Sequence, residues 1–155
     1  MNIPEFLDLA AEIEVNVSDL YNAIVANTSD QPIAHQLKKL ANEEMKHANI
    51  LRTGKSYYQS MPDLFTGLTM DETEAQEGLK KAEEYLVQFR KERLPILSQL
   101  KVMLDYEKRF EKIHMETSVK IKDEKLKELF YKLGKGDQSH VVVLGALIDM
   151  LRDKA

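Results

Sequence analysis

The chain contains no cysteine. That absence removes structural disulfides, zinc knuckles, thiol catalysis and any cysteine-ligated iron or iron–sulfur centre from what it can do. Tryptophan is missing as well, and only six glycines and four prolines are present, a composition that suits a soluble helical protein better than a sheet-rich one. Basic charge is not in excess: 22 Lys and Arg stand against 26 Asp and Glu, for a net charge of −4, and they are interspersed. No electrostatic footprint for nucleic acid results. Like-charge blocks and low-complexity tracts, the marks of a disordered tail, are also lacking. The amino-terminal stretch MNIPEFLDLAAEIE is acidic and interrupted, unlike a signal peptide or a membrane span, so the expected location is cytoplasmic with no membrane partner.

What is present is a chain of 155 residues, 43 % hydrophobic and 31 % charged, long enough for one domain over 1–155 with a real core. From Pro4 to about Asn27 the residues Leu7, Ala10, Glu14, Val17, Tyr21 and Ile24 recur at spacings of three and four, predicting an amphipathic helix. Thr28-Ser29-Asp30-Gln31-Pro32 reads as a break and a new start. The second helix is predicted to run to about Arg52 and to stop at Gly54. Residues 54–70 read as a partly ordered connection, and Thr69 with Glu72 resembles a capping box that opens a shorter helix. On that helix Leu79, Ala82, Leu86 and Phe89 form one apolar stripe, suited to covering a side of the core.

A third long helix is predicted from near Pro95, carrying Leu100, Met103, Glu107, Phe110, His114 and Ile121 inward. A fourth restarts over Asp123–Glu128 and carries Leu126, Phe130, Leu133, Asp137, His140, Leu144, Leu147 and Leu151 on one face. Short links pair the long helices as two antiparallel hairpins, with the middle segment as a long crossover. The predicted fold is all-α, a four-helix bundle with a short extra helix.

Ionisable residues interrupt these apolar faces. In LKKLANEEMKHANIL, from Leu37 to Leu51, Glu44 and His47 share the face of Leu37, Leu40 and Leu51. A Glu-x-x-His pair puts a carboxylate oxygen and an imidazole nitrogen on one side of a helix, within reach of one metal ion. A shift of 93 residues, which carries Glu44 onto Asp137, also carries Leu37 onto Phe130, Leu40 onto Leu133, His47 onto His140, Leu51 onto Leu144 and Glu14 onto Glu107. Helices rise about 1.5 Å per residue, so hairpins turning at about residues 30 and 123 bring Glu14 level with Glu44 and Glu107 level with Asp137.

Face-to-face packing of the hairpins then gathers four carboxylates and two imidazoles at one height. Burying four carboxylates without cations is strongly unfavourable, whereas two divalent ions would balance them and leave His47 and His140 as neutral ligands. Oxygen-rich coordination with one imidazole per ion suits iron or manganese, and zinc could also bind.

On these residues the chain resembles the ferritin-like di-iron carboxylate proteins, and most closely their rubrerythrin branch, over almost its whole length. The resemblance implies that Glu44 and Asp137 bridge both metals, that Glu14 with His47 and Glu107 with His140 cap one metal each, and that Tyr21 lies hydrogen-bonded near the site. It further implies two iron ions as cofactor and reduction of hydrogen peroxide or dioxygen. The electrons would come from an external donor, rubredoxin-like or flavin-dependent. Homodimerisation is common among such bundles, although no stripe here demands it.

Three positions depart from the family pattern. Asp137 replaces a Glu, with Gly134 and Gly136 beside it costing up to about 1 kcal/mol each against Ala in a helix. Close backbone approach to the metals, a local bulge and drift in a weakened site are all readings of that pair. Phe110 stands where the family often carries an extra carboxylate, and the rubredoxin-like tail is absent. His114, the 93-residue counterpart of Tyr21, reads as a hydrogen-bond donor behind the ligands or a satisfied core histidine. His35, Glu12, Glu43 and Glu111 read as surface charges, with Glu111 near enough to approach the site if its helix is rotated. The alternative to the oxidoreductase is a metal-binding or sensing bundle with no turnover; a third reading is a metal-free interaction module.

Overall fold

The computed structural model describes residues 2–65, 72–91 and 94–154. All regular structure among them is helical. Helices α1 (Ile3–Asn27), α2 (Gln31–Ser60), α3 (Thr73–Lys91), α4 (Ile96–Lys120) and α5 (Glu124–Asp153) follow one another, with a 3₁₀ turn over Pro62–Phe65 after α2. None of these helices is long and apolar enough to cross a membrane.

The helix ends have local chemical causes. Asn2 caps α1 in a reciprocal box: the Glu5 N–H donates to Asn2 Oδ1 at 2.9 Å, and the Asn2 N–H donates to Glu5 Oε2 at 3.3 Å. Pro4 sits in the first turn, where its missing N–H costs nothing. At the first reversal Thr28 turns extended and Asp30 accepts from the Ile33 N–H at 3.2 Å. At the second, Asp123 accepts from the Leu126 N–H at 2.9 Å.

Helix α2 continues past the predicted stop at Gly54 to Ser60. Gly54 is buried inside it, where a Cβ would come within 2.7 Å of Leu129 Cδ1 on α5. The glycine serves close helix contact, not termination, because nothing in its helical backbone requires a left-handed turn. Much of the predicted connection is therefore helix or 3₁₀ turn. Thr69 of the expected capping box lies outside the described residues.

The pairs α1–α2 and α4–α5 make the most extensive contacts, and α2–α5 and α1–α4 touch across them. Helix α3 lies along α1, burying Ala75, Gly78, Ala82 and Phe89, with Leu79 and Leu86 partly covered. It is tied down by Tyr106 Oη donating to the Gly78 carbonyl at 2.7 Å and by Asn27 Nδ2 donating to the Phe89 carbonyl at 2.9 Å. Phe110 packs on Tyr106 with ring centroids 4.7 Å apart and lies against Gly78. An apolar ring at 110 thus fastens α3 to α4. Leu20, Ile24, Ile33, Leu37, Leu51, Leu100, Leu133 and Leu144 fill the interior. Complete burial of each such side chain contributes about 1.5–3 kcal/mol against exposure.

Candidate metal centre

Six candidate ligand side chains interrupt that apolar interior. Glu14 comes from α1, Glu44 and His47 from α2, Glu107 from α4, and Asp137 and His140 from α5, all of them buried. Helical periodicity places each on the face its apolar neighbours bury. No side chain has to leave the helix register to arrive there.

The ligand atoms fall into two groups that share Glu44. In one, Glu44, Glu107, Asp137 and His140 each offer an atom within 4.8 Å of the others; in the second, Glu14, Glu44 and His47 do so. His140 Nδ1 lies 2.7 Å from Glu44 Oε1 and 3.3 Å from Glu107 Oε1. His47 Nδ1 lies 3.3 Å from Glu44 Oε2 and 3.8 Å from Glu14 Oε2. The two imidazoles stack with centroids 5.4 Å apart and planes inclined by 14°.

Despite these close approaches, Glu44 Oε1, Glu44 Oε2 and His47 Nδ1 have no hydrogen-bond partner. The short distances lack hydrogen-bond alignment, so the atoms converge on shared points and not on one another. Buried polar groups are normally satisfied. Oxygen and nitrogen donors left over at such points fit one or two divalent cations, which would use the lone pairs that no N–H reaches.

The charges point the same way. Burial, followed by the negative charges of Glu107 and Glu14, holds the Glu44 carboxyl well above the usual carboxylate range. Burial would raise Glu14 too, but the adjoining Glu44 and His47 side chains, together with nearby imidazole charge, bring it down to about 2. Glu107 is likewise lowered against the effect of burial, first by its hydrogen bond with His140 and then by His140's charge. Burial opposes protonation of His140, yet Glu107 and Glu43 push it up to about 9. Without metal the centre balances itself only by holding protons.

Tyr21 and His114 each meet a carboxylate of the cluster. Tyr21 Oη donates to Glu107 Oε1 at 2.5 Å. His114 Nδ1 lies 2.5 Å from Asp137 Oδ2, and its Nε2 lies 3.7 Å from Glu14 Oε1. Burial works against a charge on His114, but Asp137 raises it to about 9. Burial in turn raises Asp137 to about 6 in spite of His114.

Asp137 departs from the expected role of reaching both positions. It belongs to the group with His140 and not to the group with His47. Its side chain is one methylene shorter than Glu, and His114 engages one of its oxygens.

Glu43, read from sequence as a surface charge, also takes part. It is half-buried, and His140 Nε2–H donates to its Oε2 at 2.7 Å. The available signal was its place beside Glu44, on the flank of α2 that faces α5. Glu111 is half-buried, Glu12 and His35 are exposed, and none belongs to either ligand group.

The glycine pair has a steric cause. A Cβ on Gly136 would fall 2.6 Å from His47 Cε1 and Nε2, and one on Gly134 would fall 2.6 Å from Met115 Sδ. Helix α5 runs through both without a bulge. Close approach is thus the reason for both: Gly136 makes room for a candidate ligand ring, and Gly134 lets α4 draw near.

No protein-family model matches the chain, and no curated protein does. Among solved structures it is similar to a hypothetical protein from Pyrococcus furiosus, with a TM-score of 0.69 and 16 % identity over 99 % of this chain and 92 % of that one. At that identity the likeness concerns the helical fold alone.

Proposed function

We propose that the buried cluster binds two divalent metal ions as a rubrerythrin-like di-iron centre in a ferritin-like four-helix bundle of α1, α2, α4 and α5. With iron bound, the protein acts as an oxidoreductase that reduces hydrogen peroxide or dioxygen. The observation that carries this reading is the pair of ligand groups joined through Glu44, whose two oxygens are buried and unpartnered. One such oxygen directed to each group is what a carboxylate shared between two cations requires.

The residues divide the work. Glu14 with His47, and Glu107 with His140, would hold one ion each, and Glu44 would join them. Tyr21 fixes one oxygen of Glu107, and its O–H is the nearest phenolic proton to that carboxylate. His114 fixes Asp137. The apolar walls formed by Leu37, Leu40, Phe130 and Leu133 exclude bulk water. Iron supplies the redox chemistry, two electrons and two protons per hydrogen peroxide yielding two waters. A separate reductant, rubredoxin-like or flavin-dependent, returns the electrons.

Anaerobic loading with Fe(II), addition of one equivalent of peroxide and then of reductant tests this. The expected result is fast near-ultraviolet charge-transfer absorption that reductant bleaches and fresh peroxide restores over repeated cycles. A second reading, a metal-binding bundle without turnover, is favoured by Asp137 being held by His114 outside one ligand group. It predicts metal uptake and a single oxidation with no cycling. Failure to take up any divalent metal would defeat both.

A further inference from the structure

The two halves of the centre, related by the 93-residue offset, differ at one position that decides how each histidine is held. The offset that lays His47 on His140 lays Glu43 on Gly136. In the first half Glu43 reaches across to His140 Nε2 at 2.7 Å and fixes that ring from behind. In the second half the corresponding residue has no side chain, and His47 Nε2 lies over the bare Gly136 backbone.

Two further observations follow the same division. His140 is wholly buried, whereas the His47 side chain, at 11 % exposure, is the most exposed of the six. The group around His140 has four donor residues, and that around His47 has three, since Asp137 is missing from it.

We propose that the two metal positions are unequal by construction. The position bounded by Glu44, Glu107, Asp137 and His140 retains its divalent ion, while the one bounded by Glu14, Glu44 and His47 exchanges its ion with solvent past Gly136. The inference rests on the metal-binding reading above and adds an order of filling, a direction of access and a role for two residues outside the ligand set. A carboxylate behind a ligating histidine fixes ring orientation and raises its basicity, and its removal typically costs about 10–100-fold in metal affinity. Only one of the two histidines has that support.

Titration of the full-length metal-free protein with Co(II), followed by visible absorption and calorimetry, tests the assignment. Wild type should take up two equivalents in two steps, and excess chelator should strip one equivalent at least tenfold faster than the other. Repulsion between adjacent cations would by itself separate two steps, so the variants identify which position is which.

Glu43→Gln, at a half-exposed site, should weaken the first step about 10–100-fold. Gly136→Ala places a methyl group against the Cε1–Nε2 edge of the His47 ring and should leave one equivalent bound with the first step intact. The proposal is overturned if both equivalents leave wild type at the same rate, if Glu43→Gln weakens only the second step, or if Gly136→Ala retains both. Those results would leave metal binding itself standing. Absence of any Co(II) uptake would remove both.

Discussion

Glu44 bears the largest conflict between burial and charge. Its carboxyl is only 1 % exposed, has negative neighbours in Glu107 and Glu14, and lacks a hydrogen-bond partner for either oxygen. Glutamine keeps the shape and removes the ionisation. Metal-free Glu44→Gln should therefore melt at or above wild type at pH 7, yet lose the stabilisation that added metal provides. A metal-free variant melting well below wild type would mean that protein groups satisfy the carboxylate after all.

Tyr21→Phe deletes a hydrogen bond to a buried carboxylate and should cost about 1.5–3 kcal/mol in denaturant unfolding. Each ligand candidate was legible at this scale because Glu, Asp or His on an otherwise apolar helical stripe breaks the periodicity. Glu43 was not, since it lies off that stripe on α2 and acquires its partner only from α5. The role of Gly136 was equally hidden, because its cause is a histidine ring 89 positions earlier in the chain, at 47.

The helices owe their ends to short-range chemistry, which is why most of their boundaries could be read in advance. Asp30 and Asp123 each accept a backbone N–H that would otherwise go unpaired at a helix start. Asp123→Ala should cost about 0.5–2 kcal/mol by thermal melting, with the metal-to-protein stoichiometry unchanged. Gly54 shows where local reading fails. A glycine after a charged turn resembles a helix stop, yet here Leu129 on a distant helix decides its role. Phe110 teaches the same lesson, since its ring serves to dock α3 through Gly78 and Tyr106.

For the whole molecule, the proposed metal loading and folding would be one equilibrium. Glu44 has a folded-state pKa above its ordinary value of 4.5. In metal-free protein it costs nothing below that pH and progressively destabilises the fold as pH rises toward the folded value. His140, raised to about 9, would have to lose its proton to ligate, so the proposed metal uptake would release protons and tighten with pH up to that region. At a free metal concentration about 100 times Kd, melting should rise by roughly 5–10 °C. At one fixed metal concentration the rise should be larger at pH 7.5 than at pH 5, and a chelator should reverse it; an equal or smaller rise at pH 7.5 would contradict the proton-linked scheme.

Periodicity, capping residues and the 93-residue repeat determined, without coordinates, the helical class, the two reversals and the level at which the six polar side chains stand, because those properties depend on neighbours a few positions away or on chain length alone. Which carboxylate falls in which candidate group, why Asp137 stays with one of them and why only His140 has a carboxylate behind it were decided by the tertiary structure. Those outcomes depend on contacts of ångström scale between α2, α4 and α5, and spacing along a chain carries no record of them.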